Sequence, residues 1–192
     1  MNLDRLDLKL YAQDAPPAAA LIPVFHRWIS DGTLDEIWVD VADYRHVPRG
    51  PGVLLVAHHA HYGWDAADGA WGLRVRHRRA RNGRGPTPVA MLLADVLDRT
   101  LRAAATLARD PELAPLGWRT DRWTLEVPDR LHAPRGPVTL RELERAVRDV
   151  FTERVPGRVE RVEPVGDAVG PAALRVHVDP APTFADTLAH AG

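Results

Sequence analysis

Residues 36 to 62, EIWVDVADYRHVPRGPGVLLVAHHAHY, set two strand-like runs on either side of a segment rich in proline and glycine. Pro fixes φ there and Gly supplies the bend, so the chain is expected to turn back on itself as a hairpin. The stretch also carries polar groups that a plain core strand lacks. Four of the nine histidines, His46, His58, His59 and His61, fall in it together with Asp40, Asp43, Tyr44 and Tyr62. Pairing of the two runs is expected to gather these groups into one small volume.

With 192 residues and no cysteine, the chain is long enough for one ordinary core and needs neither a disulfide nor a metal to fold. Thiolate chemistry, Cys-ligated zinc and iron–sulfur clusters are excluded, so any metal must be held by His, Asp or Glu. The N-terminal residues mix charge into the first apolar positions, which leads us to expect a cytoplasmic protein. No run of about 18 apolar residues exists to span a membrane. A net charge of -1 argues against a surface built as a whole for nucleic acid. Positive charge is almost all arginine, and Lys9 is the only lysine.

The element pattern predicts an α+β fold of mostly antiparallel strands with three helices on one side. Leu6, Leu8 and Leu10 alternate with charged residues as a half-buried strand would. Ile22, Phe25, Trp28 and Ile29 recur at helical spacing until Ser30-Asp31-Gly32 stops them. The run 36–44 is apolar on both faces, the signature of a central strand, and Val53 to Tyr62 reads as one further strand. Leu73, Val75 and His77 suggest a third. Thr87-Pro88 is a good cap for a long helix over 87–110, whose apolar stripe runs from Val89 to Leu107. Trp123, Leu125 and Val127 alternate in another strand. A capping box, Thr139 with Glu142, precedes an amphipathic helix stopped by Pro156-Gly157. Strands near 158–163 and 172–178 complete a domain over 1–180, and the tail 181–192 is expected to fray. Strand, helix, strand, strand occurs before and after the long helix, an order compatible with duplicated halves at 1–80 and 117–180. The near-repeat HVPRGP at 46–51 and HAPRGP at 132–137 lies out of register with that order, and both copies read as rigid turns.

Three functional readings follow from the residues. The first is self-association, most simply as a homodimer, with a partner or small ligand bound on the hairpin surface 43–71 through Asp43, Tyr44, His46, Arg49, His58, Tyr62, Trp64 and Trp71. Within it Asp43 and His46 can form an acid/base pair, and Tyr44 and Arg49 can contact an anion. Trp64 and Trp71 flank the loop Asp65 to Gly69, where aromatic rings suit an interface. The second is a metal-dependent hydrolase or oxygenase. Alternation would put His59 and His61 on one strand face, where an H-x-H pair with Asp65 holds zinc or iron. The string VLLVAHHAHYGWD resembles the metallo-β-lactamase motif H-x-H-x-D-H through its second histidine. Gly63 and Trp64 stand where that family has its Asp and third His, and the resemblance assigns no family. The third is weak anion or nucleic-acid binding by a positive stripe of Arg74, Arg76, Arg78 and Arg84, in a stretch without acidic residues between Asp68 and Asp95. Trp71 is the only ring near it, too few for base stacking.

Overall fold

The computed structural model describes residues 1–78 and 87–191. The chain is α+β: strands β1 (Asn2–Leu3) and β2 (Leu6–Ala12), helix α1 (Leu21–Asp31), and then strands β3 (Trp38–Tyr44), β4 (Gly52–Ala57), β5 (Ala60–Asp65) and β6 (Gly72–His77). After β7 (Thr87–Pro88) come helix α2 (Val89–Ala108), strand β8 (Trp118–Val127), helix α3 (Pro137–Arg154), strands β9 (Arg158–Pro164) and β10 (Ala172–Asp179), and helix α4 (Phe184–Ala191). Eight strands form one antiparallel sheet in the order β3-β4-β5-β6-β2-β8-β10-β9, and β1 pairs with β7 apart from it. In each half the last strand returns beside the first, β6 beside β2 and β10 beside β8, and the halves meet where β2 pairs with β8. Four strands follow the helix of the first half and two follow that of the second.

Alternation along the strands divides the sheet into an apolar and a polar face. Leu6, Leu8 and Leu10 of β2, Val53 and Leu55 of β4, Leu73 and Val75 of β6, Leu125 of β8 and Val176 of β10 all join one buried core with the helices. Trp123 of β8 meets Phe151 of α3 with ring centroids 5.6 Å apart, and Trp28 of α1 stands 6.0 Å from Trp38 of β3. The expected half-buried character of β2 fails: Asp7 and Lys9 point away from the helices yet are fully buried.

Five further expectations are corrected. The run 36–44 is no central strand, because among the described residues β3 pairs only with β4 and forms a sheet edge. The run Val53 to Tyr62 is broken by a two-residue turn at His58-His59, after which β5 reverses beside β4. Thr87 caps nothing; it pairs with Leu3, and helix α2 begins after Pro88 without a side-chain cap. Likewise α3 starts at Pro137 behind Gly136, one turn before the expected capping box, with no side-chain cap. The tail does not fray. Thr183 caps α4 by accepting from the Asp186 N–H at 3.1 Å, and the Phe184 ring lies 6.1 Å from that of Trp118.

Candidate functional site

The hairpin predicted around Pro48 forms, with Asp43 opposite Val53 and Tyr44 opposite Gly52. Its polar groups nevertheless separate into two ends. Asp43, Tyr44, His46 and Arg49 sit at the β3–β4 turn, while His58 and His59 form the β4–β5 turn at the other end of β4. The five steps between the six residues of β4, at about 3.3 Å each, put those ends roughly 17 Å apart. One common site for all eight expected ligand residues is therefore ruled out.

At the first end, Asp43 binds the Arg45 side chain at 2.6 to 3.0 Å, and those bonds hold its carboxyl at about 2. Asp43 and His46 accordingly form no hydrogen-bonded acid/base pair; the carboxylate is taken by its neighbour. Tyr44, Val47, Arg49 and Trp71 line a shared groove of about 340 Å³ with Ala66, Ala67 and Gly52. Tyr44 and Val47 are each 40% exposed, and Trp71 is 36% exposed. Trp64, also expected on this surface, is buried and stacks beneath Trp71 with centroids 6.2 Å apart.

The metal set does not assemble. His59 lies in the turn and its Nδ1 faces Glu36 at 3.8 Å. His61 lies on β5, where burial first, and then Arg78 and Arg76, lower its pKa to about 4. Asp65 is four residues further along that strand, about 13 Å from His61, and is held by Lys9 and Arg74. Among the described residues no three His, Asp or Glu side chains gather in a way that could hold a metal ion.

The positive stripe fails for a related reason. Arg74 and Arg76 do share one face, but that face carries its own carboxylates from the neighbouring strands. Arg74 pairs with Asp65 and, at 3.4 Å, with Glu126; Arg76 grips Asp7 at 2.7 Å. Lys9 beside them is fully buried, 3.2 Å from Asp65, 2.5 Å from Asp68 and 2.8 Å from the Ala70 carbonyl. Tyr11 donates to Asp68, and its ring lies 4.1 Å beneath the Arg122 guanidinium. Burial pushes the Asp65 and Asp68 carboxyls upward, but the adjacent cations and hydrogen bonds override it and leave both below the ordinary range. Arg78 is exposed past the end of β6, and Arg84 lies outside the described residues. The polar face is thus a neutralised ion network.

A second polar cluster lies at the opposite end of the hairpin, on the helix side. Glu36, whose side chain is only 4% exposed, accepts from Arg99 and, at 3.2 Å, from the Tyr62 hydroxyl, all through Oε1. Its Oε2 is buried without a hydrogen-bond partner among the described residues. Arg99 also donates to Asp95 at 2.9 Å. Burial works to raise the Asp95 carboxyl, yet the nearby His77, 3.4 Å away, and the bond from Arg99 bring it to about 2. Tyr62, expected on the hairpin surface, belongs here, with its ring 5.4 Å from that of Trp38. Glu36 and Arg99 gave no signal in sequence: they are 63 positions apart and belong to no motif.

Compared with protein-family models and with curated proteins, this chain matches none. A depression of about 700 Å³ between Trp118–Asp121 and Ala181–Phe184 includes polar groups that bond each other or the backbone: Arg119 pairs with Asp121, and Thr120 donates to the Pro182 carbonyl. No helix among the described residues is long and apolar enough to cross a membrane.

Proposed function

We propose that this protein is a non-catalytic binding protein that self-associates through the β3 edge, the two sheets joining across a two-fold axis. The observation that carries this reading is the contrast between the two edges of one sheet. A free edge strand invites pairing, and proteins blunt it with charge. The β9 edge follows that rule, with Arg158, Glu160, Arg161 and Glu163 among its seven residues. The β3 edge has Asp40 and Asp43, and beside them Ile37 and Val39 are each 62% exposed.

A two-fold contact is self-complementary, so position i meets position j and j meets i. The bulge between Trp38 and Asp40 leaves Asp40–Tyr44 as the regular part of the strand. Antiparallel pairing centred on Ala42 sets Asp40 across from Tyr44 of the partner subunit and Val41 across from Asp43 of the partner subunit. No like charges then face each other. The same pairing carries Ile37 toward Val47 of the partner subunit, so the groove lined by Tyr44, Val47 and Trp71 would be covered. Strand addition takes its affinity from main-chain hydrogen bonds and its selectivity from flanking pockets.

The test is solution mass. Light scattering behind size exclusion should give twice 21.2 kDa for the parent and 21.2 kDa for Ile37→Lys/Val39→Lys. Both substituted positions are exposed, so the variant should keep the parent's circular dichroism. A parent that is monomeric at all concentrations would end the proposal.

A further inference from the structure

We infer that the β8–β10 ladder carries a binding site for a single dianionic phosphate group, free or at the end of a monoester, held by Arg122 and Arg175 on the sheet face turned away from the helices. The site lies toward the β9 end of the sheet, away from the β3 edge, and does not depend on self-association.

The ion network around Lys9 and Arg74 gives out at this ladder. Alternation keeps Arg122 and Thr124 on the face of Glu126, and the register sets Arg122 across from His177 and Thr124 across from Arg175. Arg122 and Arg175 are therefore diagonal neighbours, about 7–8 Å apart at the backbone. Both are half-buried. Of the other half-buried arginines among the described residues, Arg27, Arg74, Arg99 and Arg154 each meet a carboxylate, and Arg135 donates to two backbone carbonyls. Arg122 and Arg175 have no hydrogen-bond or ion-pair partner among the described residues. A guanidinium drawn from water without a counter-charge is costly, and two side by side repel as well. That the two lacking a partner are neighbours marks one place on the molecule suited to a negative group.

The carboxylates close to this place are committed elsewhere. Glu163, across from Arg175 on β9, accepts from His177 at 3.1 Å and pairs with Arg161 at 3.3 Å. Asp68 is held by Lys9 and Tyr11. The Tyr11 ring supports one face of Arg122 at 4.1 Å and leaves its N–H groups unbonded. The Nε of each arginine is buried, so a ligand meets the Nη groups, which are not.

Charge and shape select the ligand class. Two guanidiniums side by side match the double charge and tetrahedral oxygens of a phosphate dianion, whereas a carboxylate brings one charge and two oxygens in one plane. A nucleic-acid strand fits less well: the adjoining stretch of the face, around Arg74 and Arg76, is already neutralised and offers no track for the next phosphate.

Inorganic phosphate, phenyl phosphate and dimethyl phosphate are the probes, titrated into isotope-labelled full-length protein at about pH 8, where a monoester is dianionic, and followed by amide chemical shifts. Saturable shifts are expected at Arg122, Thr124, Arg175 and His177, half-complete at about 1 mM, with the monoanion dimethyl phosphate at least about tenfold weaker. Phenyl phosphate binding as well as phosphate would show that the site accepts an esterified group; binding of phosphate without phenyl phosphate would show a site for the free ion. Arg175→Ala should weaken binding by about tenfold. Glu163→Gln removes the neighbouring negative charge and should strengthen binding by about threefold, a gain that loss of folding would not produce, so it decides if Arg175→Ala folds poorly. Absence of saturable shifts at these residues, dimethyl phosphate binding as well as phosphate, unchanged affinity in a folded Arg175→Ala, or a Glu163→Gln protein that binds no more tightly would each overturn the inference.

Discussion

Replacing Lys9 with methionine should destabilise the protein more than any other single change on the polar face of the sheet. Lys9 Nζ makes three bonds, to Asp65, Asp68 and the Ala70 carbonyl, with no exposure to solvent. Methionine keeps most of the apolar stem but removes the charge. Breaking a buried pair from one side costs about 3–5 kcal/mol, because the remaining charge stays buried. Here the lower end applies. Asp65 keeps Arg74 and the Ala67 N–H, and Asp68 keeps Tyr11 with 26% of its side chain in contact with water. About 3 kcal/mol in a chain of this size corresponds to a fall in Tm of roughly 6–12 °C, measurable by urea and thermal unfolding. The pH dependence gives a second readout. Folded Asp65 and Asp68 lie below their ordinary values, so their contribution is present above the unfolded pKa near 3.9 and is lost as pH falls through the folded values. The difference between parent and variant should therefore narrow below about pH 4. A Lys9→Met protein as stable as the parent at pH 7 would refute the reasoning, since it would mean that Asp65 and Asp68 need no cation from β2.

Other outcomes follow from the same geometry. His61 should remain neutral through pH 5 to 8 in an NMR titration, because burial and two arginines hold its pKa at about 4; its unfolded form near 6.5 takes up protons first, so this group lowers stability as pH drops from 6.5 toward 4. A His61 that titrates at its ordinary value would place it outside that environment. Gly52→Ala should cost well over about 1 kcal/mol in chemical denaturation, since φ is +67 there and an added Cβ would overlap the Trp64 carbonyl; a neutral result would contradict the close β4–β5 approach. A Tyr62→Phe variant should cost about 0.5–1.5 kcal/mol through loss of the hydroxyl bond to Glu36, and a stabilised variant would show that this bond adds nothing.

Much of the fold could be read from periodicity, and the reasons for failure are local. Helix α1 follows from the spacing of Phe25 and Trp28 and from Gly32, which closes it at φ 64. The break at His58-His59 was hidden because two-residue hairpin turns usually announce themselves with residues at positive φ, and neither histidine has one. Alternation then assigned His59 and His61 to one face across what is in fact a turn. Arg74 and Arg76 share a face of β6 as alternation implies, but their neutralisation comes from Asp7 and Glu126, which only the sheet order brings alongside. Lys9 is the only lysine; its burial depends on the loop after Asp65 folding over β2, a long-range event with no local signal. The Glu36 cluster, joined across the segment before β3, β5 and α2, has no local signal for the same reason.

The edge-pairing account stands or falls on the mass of the tag-free protein in solution. Sedimentation velocity over a range of concentrations should show a species of twice 21.2 kDa that Ile37→Lys/Val39→Lys converts to single chains. A dimer of unchanged strength in that variant would place the contact elsewhere on the molecule, and a strictly monomeric parent would contradict the account outright.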